Sequence, residues 1–204
     1  MTDPASRLTQ PSLLVRIRDA QDVASWRTFV DLYAPLIYRY CRRRGLQDAD
    51  AADVGQEVLL QVARSIRTFE YQPERGRFRD WLGTVIHGKL VRWHEKRIRA
   101  VNGEGGRDSE QLLAAVVSPE ADTEWAAQFH AHVLRAALER LRPRFEPATW
   151  RAFELSWLED RPAPEAAAAA GVPVAAVYVA KSRVLKQLRE EVLLLAEDVP
   201  EFVP

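Results

Sequence analysis

The sequence predicts an all-α protein: two small helical domains joined by a flexible linker, the C-terminal one containing a helix-turn-helix. Three observations predict it. Apolar residues recur every three or four positions along most of the 204 residues, and no stretch alternates with the period of two that a strand requires. A glycine-rich, charged stretch at 101–118 interrupts that pattern near mid-chain. Towards the end, a short alanine-rich segment, Gly171 and a second amphipathic segment opened by Pro173 follow in the order of helix, turn and helix.

Taken in order, residues 1–21 form an N-terminal segment before the first domain, which spans 22–100. Val23, Trp26, Val30, Tyr33, Ile37 and Tyr40 place one apolar stripe on its first helix, with Asp22 as N-cap and Gly45 as stop. Val54, Val58, Val62, Ile66 and Phe69 continue on a second helix capped at Asp48. Tyr71 to Gly76, with Pro73, reads as a loop. A third helix runs from Phe78 to Arg99, with Trp81, Leu82, Val85 and Ile86 apolar. The linker covers 101–118, and its apolar stretch Leu112–Val117 suggests that part of it docks. The second domain, 119–195, opens with Pro119 after Ser118, a good helix start because proline lacks the N–H that the first turn leaves unused. That helix runs to Leu141, before Pro143. Another starts near Pro147 and carries Trp150, Phe153, Leu155 and Trp157. A tail, 196–204, is apolar and acidic.

Composition bounds the function. With 47% hydrophobic and 28% charged residues the chain is expected to fold. A single cysteine, Cys41, excludes an intrachain disulfide and a cysteine-based zinc site. Met1–Gln10 lack the apolar core of a signal peptide, and no apolar run approaches the ~20 residues of a membrane span. The expectation is a soluble, cytoplasmic protein without a membrane partner. Basic and acidic residues balance at 29 each. Their distribution is uneven: Arg39, Arg42, Arg43 and Arg44 form one basic cluster, Arg75 to Arg99 a longer one, and Lys181, Arg183, Lys186 and Arg189 a third. Acids gather at Asp48, Asp50, Asp53 and Glu57. Charges more than about 10 Å apart are largely screened at 0.1 M salt, so local basic fields can still steer nucleic acid.

In the C-terminal helix-turn-helix, Val177, Ala180, Val184, Leu188 and Val192 share one face, while Val179, Ser182, Arg183 and Lys186 project from the other. A recognition helix needs this: an apolar side to anchor it and a polar side for the major groove. Lys186 suits a phosphate; Arg183 suits a phosphate or a guanine edge. An ordinary amphipathic hairpin with a solvated basic face would share the pattern. In the third helix, Trp81 and Trp93 lie among Arg79, Lys89, Arg92, Lys96 and Arg97. Aromatic faces stack on unpaired bases and cations hold the backbone, which suits melted DNA. The competing possibility is that the tryptophans are core, favoured for Trp81 because it shares a stripe with Leu82 and Val85, and open for Trp93.

No catalytic or metal-binding constellation emerges, and neither enzyme activity nor a cofactor is expected. His94-Glu95 lacks a second histidine, His87 and His94 lack a third ligand, and His130 and His132 point in different directions on a helix. There is no phosphate-cradling glycine motif.

The order of these pieces resembles a known family, the bacterial RNA polymerase sigma factors of the extracytoplasmic-function (ECF) type. Asp48-Ala-Asp-Ala-Ala-Asp-Val-Gly-Gln-Glu-Val58 resembles their second conserved region. Phe78-Arg-Asp-Trp-Leu-Gly-Thr-Val-Ile86 and the basic helix after it resemble the promoter-melting segment. Ala137-Leu-Glu-Arg-Leu141, the Trp150 helix and the helix-turn-helix resemble the fourth region. The similarity covers about 22–100 and 125–192, with regions one and three of larger sigma factors missing. It implies a protein that binds core RNA polymerase, on the clamp helices of the largest subunit and the flap, and directs promoter recognition, melting and initiation. Asp50, Asp53, Gln56 and Glu57 match the polymerase-gripping surface; without the resemblance they would read as acids at the positive end of a helix dipole. The loop with Tyr71, Arg75 and Arg77 matches the segment that captures a flipped base of the minus-ten element, or else is a plain surface turn. Lys89, Arg92, Trp93, Lys96 and Arg97 match the helix that faces minus-ten DNA. Tyr178, Val179, Ser182, Arg183 and Lys186 fall where the minus-thirty-five element is read. An anti-sigma factor holds many such proteins inactive between their domains, though no residue here reports one. The chain departs from the family at Gly88, Arg92 and Tyr178-Val179-Ala180, where asparagine, an acid and Lys-Ser-Arg are common, so promoter sequence does not transfer. Two other classes fit the same motifs less completely: a stand-alone helix-turn-helix regulator, which would prefer intact duplex, and a helical protein-interaction module, which would show no salt-dependent DNA affinity.

Overall fold

In the computed structural model, which describes residues 12–68, 78–102 and 118–196, every assigned element is helical. Two compact units divide the described chain, one of Pro11–His132 and one of Val133–Leu195. The expectations for the Tyr71–Arg77 loop, most of the linker, residues 1–11 of the N-terminal segment and residues 197–204 of the tail lie outside this description.

The first unit opens with α1, Leu13–Arg16, whose N-cap Ser12 accepts a hydrogen bond from the Val15 N–H at 3.3 Å. Helix α2, Val23–Arg43, starts at Asp22 as the sequence suggests: its carboxylate accepts from the Ser25 N–H at 3.0 Å and hydroxyl at 2.7 Å. It ends just before Gly45. Helix α3, Asp48–Ser65, corrects one expectation. Gln47 stands at its N-cap and Asp48 lies in the first turn. The Asp48 carboxylate is engaged by α2 instead, receiving the Tyr38 hydroxyl at 3.0 Å and pairing with Arg42 at 2.7 Å. Helix α4, Phe78–Asn102, runs slightly past the expected Arg99, and α5, Pro119–Leu141, begins and ends where the proline signals place it, with the Ser118 hydroxyl receiving the Ala121 N–H at 3.2 Å.

The stripe on α2 needs a second correction. Val23 and Val30 are 67% and 38% exposed; the buried face carries Phe29, Leu32, Tyr33, Leu36, Ile37 and Tyr40. These larger side chains remove more apolar area from water than two valines, so they set the rotation of the helix. Val54, Val58, Val62 and Ile66 of α3 and Phe78, Leu82, Ile86 and Leu90 of α4 complete the core. Cys41 lies within it, and burial pushes its thiol up to about 12.

The first part of α5 belongs to this unit. Phe29, Tyr33, Phe78 and Phe129 form an aromatic cluster with ring centroids 4.6–6.5 Å apart, joined by Trp125 at 5.8 Å from Phe129. The Trp125 indole N–H donates to the Arg79 carbonyl at 2.8 Å. At Gly83 an added Cβ would stand 2.7 Å from two atoms of that indole, so only glycine allows the approach. The division between units therefore falls inside α5, after His132, whereas the sequence suggested a boundary before 119.

In the second unit a 3-10 turn, Arg142–Arg144, leads to α6, Pro147–Phe153, which continues as a π-helical turn, Glu154–Leu158. Helices α7, Ala163–Ala170, and α8, Val174–Ala196, follow. Gly171 between them has φ +67°, a left-handed conformation, and the Val172 N–H returns to the Ala167 carbonyl at 3.0 Å, closing the end of α7. Ala152, Leu155, Ala166, Ala167, Val177 and Ala180 pack together as the core of the helix-turn-helix. Small alanines, Ala152 on α6 with Ala166 and Ala167 on α7, let these two helices pack together. Glu191, 5% exposed, pairs with Arg144 at 2.9 Å and Arg140 at 3.4 Å. No single helix is long and apolar enough to cross a membrane; α7 and α8 pass that test only together, and they are bent by 95°.

Candidate functional site

On α3, Asp50, Asp53 and Glu57 follow the helical repeat, with Asp53 and Glu57 exposed, Asp50 half-buried, and Gln56 exposed beside them. On α4, Lys89, Arg92, Trp93, Lys96 and Arg97 occupy positions spaced by three and four, which puts them on one face. Packing of α3 against α4, through the Val54–Ile66 stripe, turns these two faces toward each other. Between them lies a groove of ≈ 380 Å³, lined by Asp50, Asp53, Val54 and Glu57 on one wall and by Lys89, Arg92, Trp93, Lys96 and Arg97 on the other. The sequence assigned these residues to two separate surfaces. The structure joins them, leaving out Gln56.

Two ion pairs bridge the groove: Lys89 Nζ to Glu57 at 3.0 Å, and Arg97 to Asp50 at 3.8 Å. The Lys89 side chain is only 16% exposed while that of Glu57 is 62% exposed, so the pair is wet on one side and contributes little to stability. Trp93 is half-buried, with the Arg97 guanidinium 5.3 Å from its ring centroid and the His94 ring edge-on at 4.8 Å. Burial, then the nearby Arg97 charge, lowers the His94 pKa and keeps that imidazole neutral. The groove thus offers a partly open aromatic face between cations, with acids opposite. Trp81 is half-buried, 5.6 Å from Phe78, at the edge of the core.

The histidines serve the fold. His87, 7% exposed, meets the Tyr40 hydroxyl at 2.7 Å and Asp122 at 3.3 Å. Tyr40 also receives Arg44 at 3.0 Å, and Arg44 pairs with Glu124 at 2.9 Å. His130 meets Arg79 at 2.9 Å; His132 meets Arg39 at 2.7 Å and the Leu32 carbonyl at 2.5 Å. Among the described residues no group of three or more His, Cys, Asp and Glu is placed to hold a metal ion. These contacts fasten α5 to α2 and α4. The sequence contained a signal for them that the expectation of a boundary at 119 passed over: Ala121, Trp125, Phe129, Val133, Ala137 and Leu141 recur every fourth residue without interruption, and all are buried.

On α8 the expected division holds. Val177, Ala180, Val184, Leu188 and Val192 are buried, and Tyr178, Val179, Ser182, Arg183 and Lys186 are exposed. Tyr178 is 63% and Val179 48% exposed, an apolar pair on the open face of the helix after the turn.

The family model for sigma-70 region 2 matches residues 29–100, from the aromatic core of α2 through the whole of the groove. Along nearly the full chain, the ECF RNA polymerase sigma factor SigE of Mycolicibacterium smegmatis (strain ATCC 700084 / mc(2)155) is 27% identical over 191 residues, 92% of this chain and 69% of that protein. Residues 29–100 thus match sigma-70 region 2, and the chain as a whole is similar to an ECF sigma factor. Among solved structures, that of the RsbN-BldN complex is similar at 20% identity, covering 86% of this chain and 96% of that one, with a TM-score of 0.34. The region 2 match spans both walls of the groove.

Proposed function

We propose that this chain is an ECF sigma factor that docks on core RNA polymerase through α3, with Asp50, Asp53, Gln56 and Glu57, and engages the opened minus-ten element through α4. Its function is to direct promoter-specific initiation. The observation that carries the assignment of surfaces is the groove, where acids for a basic protein partner and an aromatic-basic face for single-stranded DNA share one rim. Trp93 supplies a stacking face and Arg92, Lys96 and Arg97 supply phosphate contacts, the combination that single strands require. The α8 face contacts duplex at the minus-thirty-five element. RNA synthesis belongs to the polymerase; the chain contributes binding energy, part of which offsets the few kcal/mol that extruding a base costs. Run-off transcription with purified core polymerase on pooled genomic DNA tests this directly. New, specific transcripts that appear only with the chain present support it. Duplex binding without transcripts would instead indicate a stand-alone regulator.

A further inference from the structure

The exposed stripe of α8 changes chemistry along its length. Ala175, Tyr178 and Val179 occupy its first two turns; Ser182, Arg183 and Lys186 continue the same stripe. In a helix-turn-helix the N-terminal residues of the second helix meet the base edges. Here those residues have almost no hydrogen-bonding capacity: Ala175 and Val179 have none, and Tyr178 has a single hydroxyl. An apolar side chain distinguishes bases in the major groove in one way, by contact with the C5-methyl group of thymine. Neither Tyr178 nor Val179 is needed by the core, which Val177 and Ala180 fill at 1% and 3% exposure. The occupant of this face is identified by charge. Arg183 and Lys186 form no ion pair among the described residues, unlike Lys89 and Arg97 of α4, and stand ready for phosphates one and two turns further along.

We infer that this chain reads its upstream promoter element by apolar contact, with Val179 and Tyr178 recognising thymine through its methyl group, and Arg183 supplying the neighbouring polar contact. The inference rests on the assignment of α8 to duplex DNA and adds to it the base class and the residues that choose it.

Replacing thymine by uracil deletes that methyl group and nothing else. The complex of the full chain with core polymerase is used to select duplexes from a random library. Binding is then measured by fluorescence anisotropy on the selected duplex with uracil placed at each upstream thymine in turn. One buried methyl group is worth about fourfold in affinity, and that loss is expected at one or two thymines. In Val179→Thr, which keeps the shape and replaces one methyl by a hydroxyl, the same substitution is expected to cost less than about twofold. Arg183→Ala, measured in parallel, weakens binding to the selected duplex whether or not methyl groups are read. A loss in Arg183→Ala with no effect of uracil at any position overturns the methyl inference and leaves the α8 assignment standing. No enriched sequence, and no effect of Arg183→Ala, overturns both.

Discussion

His87 is a neutral imidazole held by a tyrosine, and its environment makes the fold sensitive to acid. Burial lowers its pKa below the ordinary 6.5, opposed by Asp122 and assisted by the Arg44 charge. His94 is lowered for the same leading reason. Below 6.5 the unfolded chain takes up protons at these sites that the folded chain refuses, so stability is fully present above that pH and falls as the pH drops through the lowered values. The carboxylates with lowered pKa, Asp22 and Glu120, titrate only near or below 4.5 and leave this window to the histidines. The urea midpoint of the chain is therefore expected to decline as the pH falls below the ordinary histidine value of 6.5. His87→Gln should flatten that slope while lowering the midpoint at alkaline pH, because Tyr40 and Asp122 lose their partner. An unchanged slope would remove His87 from the explanation. Glu57 offers a residue-scale test of the groove. Glu57→Gln breaks its pair with Lys89 and frees a cation, so affinity for single-stranded DNA should rise, and the slope of log affinity against log salt should steepen by roughly 0.7. Equal slopes for the two proteins would place Lys89 away from the phosphates.

Within α4 two glycines five residues apart make opposite predictions. At Gly88 an added Cβ meets nothing within 4 Å, so Gly88→Ala should stabilise the chain by about 0.5–1 kcal/mol through helix propensity alone. At Gly83 the same methyl meets the Trp125 indole at 2.7 Å, and that ring is held by its bond to the Arg79 carbonyl. Gly83→Ala should cost about 1–3 kcal/mol in spite of the propensity gain, and Trp125→Ala in the same chain should remove the clash at the expense of the packing. Thermal denaturation of the three variants distinguishes the cases; a stabilised Gly83→Ala would mean that α5 does not lie on α4 in solution. This contact was also the least legible feature in the sequence. Helix ends were readable because their signals are local: Asp22 and Ser118 at N-caps, Gly45 and Gly171 after the last turns, Pro119 and Pro147 inside the first. The rotation of α2 was misjudged because Val23 and Val30 fit the period as well as Leu32 and Leu36 do, and only packing chooses between them. The meeting of the α3 acids with the α4 cations was illegible for the same reason: each set is visible on its own helix, but their register depends on how Val54, Val58 and Val62 pack.

At the scale of the whole chain the balance of 29 basic and 29 acidic residues matters more than any single cluster. A protein without net charge gains little from non-specific attraction to DNA, so affinity has to come from placed cations, and in the first unit two of those are partly neutralised by Glu57 and Asp50. Under the proposed assignment, polymerase docking and DNA binding would draw on facing walls of one groove. This makes the acid wall testable without disturbing the core. Asp53 and Glu57 are exposed, and surface substitutions of this kind usually change stability by no more than about 0.5 kcal/mol. Asp53→Lys with Glu57→Lys should therefore leave the thermal midpoint and helical content unchanged while abolishing binding to core polymerase, because two attractions become two repulsions. The added lysines should not weaken DNA affinity, which separates this loss from a general failure of the protein. Retention of wild-type polymerase affinity in the folded double variant would move the docking surface off α3; loss of affinity together with unchanged or increased DNA binding would fix it there.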